Sequence, residues 1–351
     1  MSEFRLATSE DDALLRRLLR DNSMASWVEM RLEREPSFFA AHGFHGHDWA
    51  VVAQERGQAF GMYAAAAVPV YVNGKAVCGG YLGGLRVQAS ERQRIRHLRD
   101  GYASIRRLAP VLPDVPWWFT VIAAENTPAR RVLEAGLRGL PFYRPLGAMT
   151  TYAMAAARGK RQDLWRRATA QDLPAMLEFH AAQAGGYQLA PVLTQDGVAR
   201  IGLDCFYIHQ DQGRIVAMAA WWDQRAFKQV VAHRYHRSLQ WALPLYNCVA
   251  RLSRRVPLPP PGQALPQSFI AFLAFHPSLL AHRATAGRLM RDLLSHCPTP
   301  VAAIGLGDGH PLTPVIMAFK PLTYRTIVYA VEFEEKADLD GRPVQPEVAL
   351  L

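Results

Sequence analysis

Arg92-Gln-Arg-Ile-Arg-His97 opens a stretch with apolar residues at Ile95, Leu98, Tyr102 and Ile105, the spacing of a helix. The first N–H groups of a helix lack intrahelical partners, and the dipole there favours an anion. Arg92, Arg94 and Arg96 in the first turns therefore read as a seat for phosphate. Ile95 and His97 are bulky where a closely approached phosphate prefers Gly or Ala. His42-Gly-Phe-His45-Gly-His47-Asp48 carries ligand-type residues without metal-motif spacing, so no metal is expected. His233-Arg-Tyr-His236-Arg reads as a solvated helix face. Cys78, Cys205, Cys248 and Cys297 lie far apart with no CxxC, which points to buried free thiols in a reducing cytoplasm.

Half of the 351 residues are hydrophobic and a fifth are charged, enough to bury a core. At about 150 residues per domain that length means two domains. The net charge is +10, with five lysines against thirty-five arginines. The basic residues are spread along the chain, so no nucleic-acid partner is expected. No apolar run is long enough to span a membrane, and Met1-Ser-Glu-Phe-Arg-Leu is not a signal peptide, so no membrane partner is expected.

The elements that would position these residues occur twice. Phe4-Arg-Leu-Ala-Thr-Ser-Glu-Asp11 returns as Trp165-Arg-Arg-Ala-Thr-Ala-Gln-Asp172, followed each time by an apolar helical pattern. Gln54-Glu-Arg-Gly57 returns as Gln210-Asp-Gln-Gly213 between apolar runs, a hairpin in each copy. Asn73-Gly74 marks a further hairpin with a type I′ turn. Strands are predicted at Tyr81–Val87, Trp117–Ala124 and Phe142–Met154, and helices at Glu91–Leu108 and Thr127–Ala135, closed by Gly136. The second copy predicts strands at Phe269–Phe275, Val301–Leu306 and Tyr324–Phe333, with helices at Ala284–Leu294 and Thr313–Phe319. An insertion at about 223–268 holds Pro257-Leu-Pro-Pro-Pro-Gly262, a surface loop. The expected division is residues 1–158, 159–335, and a flexible tail at 336–351.

This order, twice over, resembles the GNAT superfamily (GCN5-related N-acetyltransferases). The residues that carry the resemblance are Leu82-Gly-Gly-Leu-Arg-Val87 with Arg92-Gln-Arg-Ile-Arg-His97, then Val121-Ile-Ala-Ala-Glu-Asn126-Thr-Pro-Ala129 leading to Leu133-Glu-Ala-Gly136. It implies an α/β (α+β) fold of two tandem domains, each a mixed, mostly antiparallel sheet flanked by helices. That sheet would be splayed between the strand near residue 85 and the one near 120. It also implies acetyl-CoA or another acyl-CoA as co-substrate, with Leu85, Arg86, Val87, Arg92, Gln93, Arg94, Ile95, Arg96, His97, Asn126 and Arg130 as cofactor-binding positions. The second copy keeps small residues at Ala281-His-Arg-Ala284-Thr-Ala286 but offers only Asp308-Gly-His-Pro311 in place of the Asn motif, which favours the first copy as the acyl-CoA site. The family's tyrosine position is Leu133 here and the central strand lacks a carboxylate, so Glu125 stands in as base and Tyr143 as proton donor. The resemblance implies an N-acyltransferase acting on a small-molecule or peptide amine. A non-catalytic acyl-CoA binder is the alternative, and a homo-oligomer is compatible with both.

Overall fold

The repeated Arg–Thr–Asp pattern is a local locking device. Arg5 forks onto Asp11 (2.7 and 2.8 Å), whose carboxylate also accepts from the Thr8 N–H. Arg166 forks onto Asp172 in the same way, with Thr169 as its cap. Each lock turns a short strand into the first helix of its half, while the aromatic beside it, Phe4 or Trp165, enters the core. The Arg5 guanidinium holds the Asp11 carboxyl down at about 2, below its ordinary 3.8. Because the folded value is depressed, this stabilisation is present above pH 3.8 and is lost as pH falls through about 2. Asp11→Asn is expected to cost about 1–2 kcal/mol at neutral pH, the partial exposure of Arg5 reducing the full linkage value, with little cost at pH 2. Denaturant melts at the two pH values check this.

In this computed structural model the described residues are 2–21, 28–44, 47–88, 91–108, 115–156, 161–253, 255–333 and 336–351. The first half contains β1 (Ser2–Leu6), α1 (Asp12–Arg20), β2 (Val28–Glu33), β3 (His47–Glu55), β4 (Gln58–Val72) and β5 (Lys75–Val87). These are followed by α2 (Glu91–Leu108), β6 (Trp118–Ala123), α3 (Thr127–Glu134) and β7 (Phe142–Ala155). The second half starts with β8 (Arg166–Arg167), α4 (Leu173–Ala184), α5 (Gln195–Ile201), β9 (Phe206–Asp211) and β10 (Arg214–Trp222). The insertion adds β11 (Gln229–Tyr235) and α6 (Arg237–Leu252). Then come β12 (Gln267–Phe275), α7 (Pro277–Leu280), α8 (Arg283–Ser295), β13 (Val301–Gly307), α9 (Thr313–Met317) and β14 (Leu322–Glu332). Asn73 and Gly74 both have positive φ (50° and 79°), as the type I′ turn requires.

Twelve strands form one sheet in the order β1-β3-β4-β5-β6-β14-β7-β13-β12-β10-β9-β8, mirrored about its centre. The halves exchange their last strands. β14 pairs with β6 of the first half, β7 pairs with β13 of the second, and the two exchanged strands pair with each other. The expected mixed, mostly antiparallel sheets of the two halves are thus joined edge to edge into one. The expected boundary at 158/159 lies outside the described residues.

Three expectations are corrected. Residues 229–235, which include His233, form a strand of the small β11–β2 sheet, with Tyr235 buried and Arg234 paired to Glu29. Cys78 and Cys248 are exposed rather than buried, and Cys205 and Cys297 are half-buried, with no disulfide joining any of the four. Residues 336–351 do not hang free: Val344 and Ala349 are buried, and Gln345 and Glu347 bond to the sheet. Among the described residues, no helix is long and apolar enough to cross a membrane.

Candidate functional site

β5 and β6 run parallel but pair only at Gly80↔Trp118 and Tyr81↔Phe119, after which they diverge. Glycine is required at the apex: a Cβ on Gly80 would enter the ring of Trp118. Opposite β4 the register of β5 slips between Gly83 and Arg86, leaving Gly84 and Leu85 as a β-bulge with Gly84 at φ +61°. A bulge frees backbone groups from the ladder, here at the edge of a wedge. The Tyr81 ring lies over Gly83 beside that bulge, with its hydroxyl 3.1 Å from where a Cβ on Gly83 would stand. Burial pushes the Tyr81 phenol up to about 12, against the opposing pull of Arg34 and Arg86. No sequence pattern marks Tyr81, because the resemblance puts the family's tyrosine within α3, where Leu133 is packed in the core.

The expected cofactor residues divide into three groups. Leu85, Arg86 and Val87 line the open part of β5. Arg86 donates to its neighbour's carbonyl at Leu85 (2.9 Å), while its Nε is buried with no partner, and burial lowers its pKa. α2 begins at the end of β5, but the side chains of Arg92, Gln93 and Arg94 lie outside the described residues. Ile95 is half-buried, and Arg96 pairs with Glu55 (2.7 Å). His97 is turned inward, 4% exposed and stacked on Phe60, so its ring does not face a phosphate; burial lowers its pKa. Asn126 caps α3 through Ala129 N–H. Arg130 is committed to Tyr329, the Ala124 carbonyl and Glu134.

The two expected catalytic residues also separate. Glu125 is exposed in the turn after β6, near Tyr324 of β14, whose phenol burial pushes upward with a further push from Glu125. Tyr143 is removed from the catalytic role. It is buried under α2, its hydroxyl shared with Tyr102 and its ring against Tyr329. Burial raises its pKa far above the ordinary phenol range.

A polar cluster lies at the wedge apex on the sheet face away from α2. Asp48, Ala66, Tyr81 and Phe119 occupy one register row across β3, β4, β5 and β6. His42 Nε2 is 3.8 Å from the Asp48 carboxylate, which also accepts from the Gly43 N–H (2.9 Å). Burial lowers the His42 pKa, Asp48 opposes this, and Arg34 and His47 add to it. The second half fixes this loop in place. Arg200 of α5 donates to the Gly43 carbonyl, and Phe44 stacks on Phe227 and packs at a tilt against Trp222. His45 lies outside the described residues. Among those described, no group of three or more His, Cys, Asp or Glu converges as a metal site would.

The second half has a matching wedge, and the chain fills it. β12 and β13 pair in parallel at Gln267↔Val301 through Phe269↔Ala303 and then part. On the freed edge of β13, Gly307 N–H donates to Gln345 Oε1 (2.7 Å) and Gln345 Nε2 donates to the Gly305 carbonyl (2.9 Å). On the β12 side the register slips near Phe272, and Phe272 N–H donates to Glu347 Oε2 (2.8 Å). The amide at the bulge of the second wedge is thus satisfied by a carboxylate. Glu347 also accepts from Ala349 N–H, and burial raises it to about 7. Lys228, pushed down to about 7 by burial, donates to the Leu351 carbonyl. Among the described residues, no chain segment is hydrogen-bonded between the parted lengths of β5 and β6 in this way.

No protein-family model matches the sequence, and no curated protein matches it. Solved structures do. N-myristoyltransferase from Saccharomyces cerevisiae with bound myristoyl-CoA aligns over 97% of this chain and 88% of that one, at TM-score 0.61 and 12% identity. A GCN5-related N-acetyltransferase from Sphaerobacter thermophilus aligns over 96% and 98%, at TM-score 0.54 and 12% identity. One from Anabaena variabilis aligns over 93% and 72%, at TM-score 0.50 and 11% identity. The chain therefore has the GNAT fold twice over, with mostly antiparallel pairing and helices on the sheet.

Proposed function

We propose that the chain is an N-acyltransferase that binds acetyl-CoA or another acyl-CoA in the first wedge and passes the acyl group to a small-molecule or peptide amine. The observation that carries this is the asymmetry of the two wedges: residues 344–349 satisfy the free edges of the second, and the first offers its edges to a ligand. The bulge at Gly84 and Leu85 presents backbone groups that orient the thioester carbonyl, and the start of α2 faces the diphosphate. The amine arrives on the opposite face, where His42, held by Asp48, takes its proton. That proton is the ammonium's; the neutral nitrogen then attacks the carbonyl carbon, the C–N bond forms, the C–S bond breaks as Tyr81 protonates the departing thiolate, and the Tyr81 phenolate regains its proton from the nitrogen that becomes the amide. The acyl-CoA carried by the myristoyltransferase structure, together with its overall likeness, supports a thioester ligand at this place.

Calorimetric titration with acetyl-CoA and longer acyl-CoAs is expected to give one site per chain. Gly84→Val places a β-branched residue at positive φ and is expected to weaken binding about tenfold by deforming the bulge. CoA release is then followed against polyamines, aminoglycosides, lysine peptides and amino acids. Release with any of them supports the transferase, whereas binding with no release makes the protein an acyl-CoA binder. Absence of binding overturns both.

A further inference from the structure

Helix α6 buries one face and leaves the other bare. Leu239 and Leu243 pack on Ala232, Tyr235 and Leu258. On the opposite side Trp241, Leu245, Val249 and Leu252 are 88%, 70%, 52% and 83% exposed. Their spacing of four, four and three residues puts them on one stripe, about 17 Å long at the helical rise. Four large apolar side chains aligned in water mark a surface with a partner. The only charged residues of α6 are Arg237 and Arg251; it has no carboxylate.

The stripe ends at a second feature. A cavity of about 1180 Å³ opens where the end of α6 meets α8 and α9, and its lining includes Arg251, Arg255, Arg283, Arg291 and Lys320. Asp292, the only carboxylate among the described lining residues, is occupied by the N–H groups of Gln162 and Leu164 (2.6 and 2.8 Å). The cavity is thus strongly cationic and adjoins the apolar stripe through Arg251.

We propose that α6 and this cavity form a docking surface for a bilayer carrying anionic phospholipid. The stripe enters the interface between headgroups and acyl chains, with Trp241 among the headgroups and the cavity receiving their phosphates. Charge selects this occupant over a second copy of the chain, since two such faces meeting would oppose arginine to arginine. The stripe lies on the inserted helix, and the proposal stands whether or not the acyltransferase reading holds.

The test is flotation of the full chain with vesicles of phosphatidylcholine alone or with about one-third phosphatidylglycerol. Binding is expected to the anionic vesicles and to weaken as salt is raised. Leu245→Asp is expected to weaken it about tenfold or more, and Arg251→Gln about fivefold. Both side chains are exposed, so unchanged thermal melting confirms that folding is intact. Failure of the wild type to float with anionic vesicles, or equal binding by Leu245→Asp, overturns the proposal. So does sedimentation showing a dimer that Leu245→Asp dissolves without vesicle binding, which would assign the face to a second copy.

Discussion

His42→Ala is expected to lower kcat by about 10²–10⁴-fold while leaving acyl-CoA affinity unchanged, the range set by loss of a positioned general base. The split follows from placement: His42 lies on the face of the sheet away from α2, apart from the wedge that would hold the thioester carrier. The pH profile separates this role from a structural one. Catalysis requires neutral His42, so kcat falls as pH drops through the His42 pKa. Burial lowers that value from 6.5, so the acid limb is expected below pH 6.5. Asp48 raises the His42 pKa; Asp48→Asn should therefore move the limb to still lower pH while reducing kcat, because the ring loses the carboxylate that orients it. Stopped-flow or steady-state CoA release across pH 5–8 for the three proteins checks this. An unshifted limb in Asp48→Asn would take the base role away from His42.

Much of the frame was legible because it is local. The Arg–Thr–Asp locks, the turns at Asn73-Gly74 and the extent of α2 are set by neighbours a few residues apart. The exchange of β7 and β14 was not legible. Both carry the same alternation and each fits beside either parallel strand, so only the closed sheet decides which pairs with which. The site was read in part. Leu85 to Val87 and the splay came with the family resemblance, and β5 and β6 do part after Tyr81, whereas Tyr143 looked available because burial under α2 depends on its distant partner Tyr102. Residues 336–351 read as a tail because Gly, Pro and polar side chains dominate them. In place, Gln345 and Glu347 act as substitutes for a strand, their side chains making the bonds that β12 and β13 no longer make to each other.

That substitution makes Gly307 the most demanding glycine of the second half. A Cβ there would collide with the Val344 carbonyl oxygen, a backbone atom that cannot rotate away. Gly307→Val is therefore expected to expel residues 344–349 from the second wedge. The loss includes the buried Val344 and Ala349 side chains, the paired bonds of Gln345, and the Glu347 bond to Phe272. Leaving the Phe272 and Gly307 amides and the Gly305 carbonyl unpaired costs about 1–3 kcal/mol for each group that water does not reach. A destabilisation of about 3–5 kcal/mol is the expected sum, measured as a shift of the denaturant midpoint. Gln345→Ala removes two of the same bonds without the collision and should cost less, about 1–3 kcal/mol, which separates loss of bonding from steric strain. Acyl-CoA affinity at the first wedge should be unchanged in both variants, because the bulge at Gly84 lies on the other side of the exchanged strands. If Gly307→Val melts like the wild type, residues 344–349 do not hold the second wedge closed, and the asymmetry that assigns the ligand to the first half disappears with them.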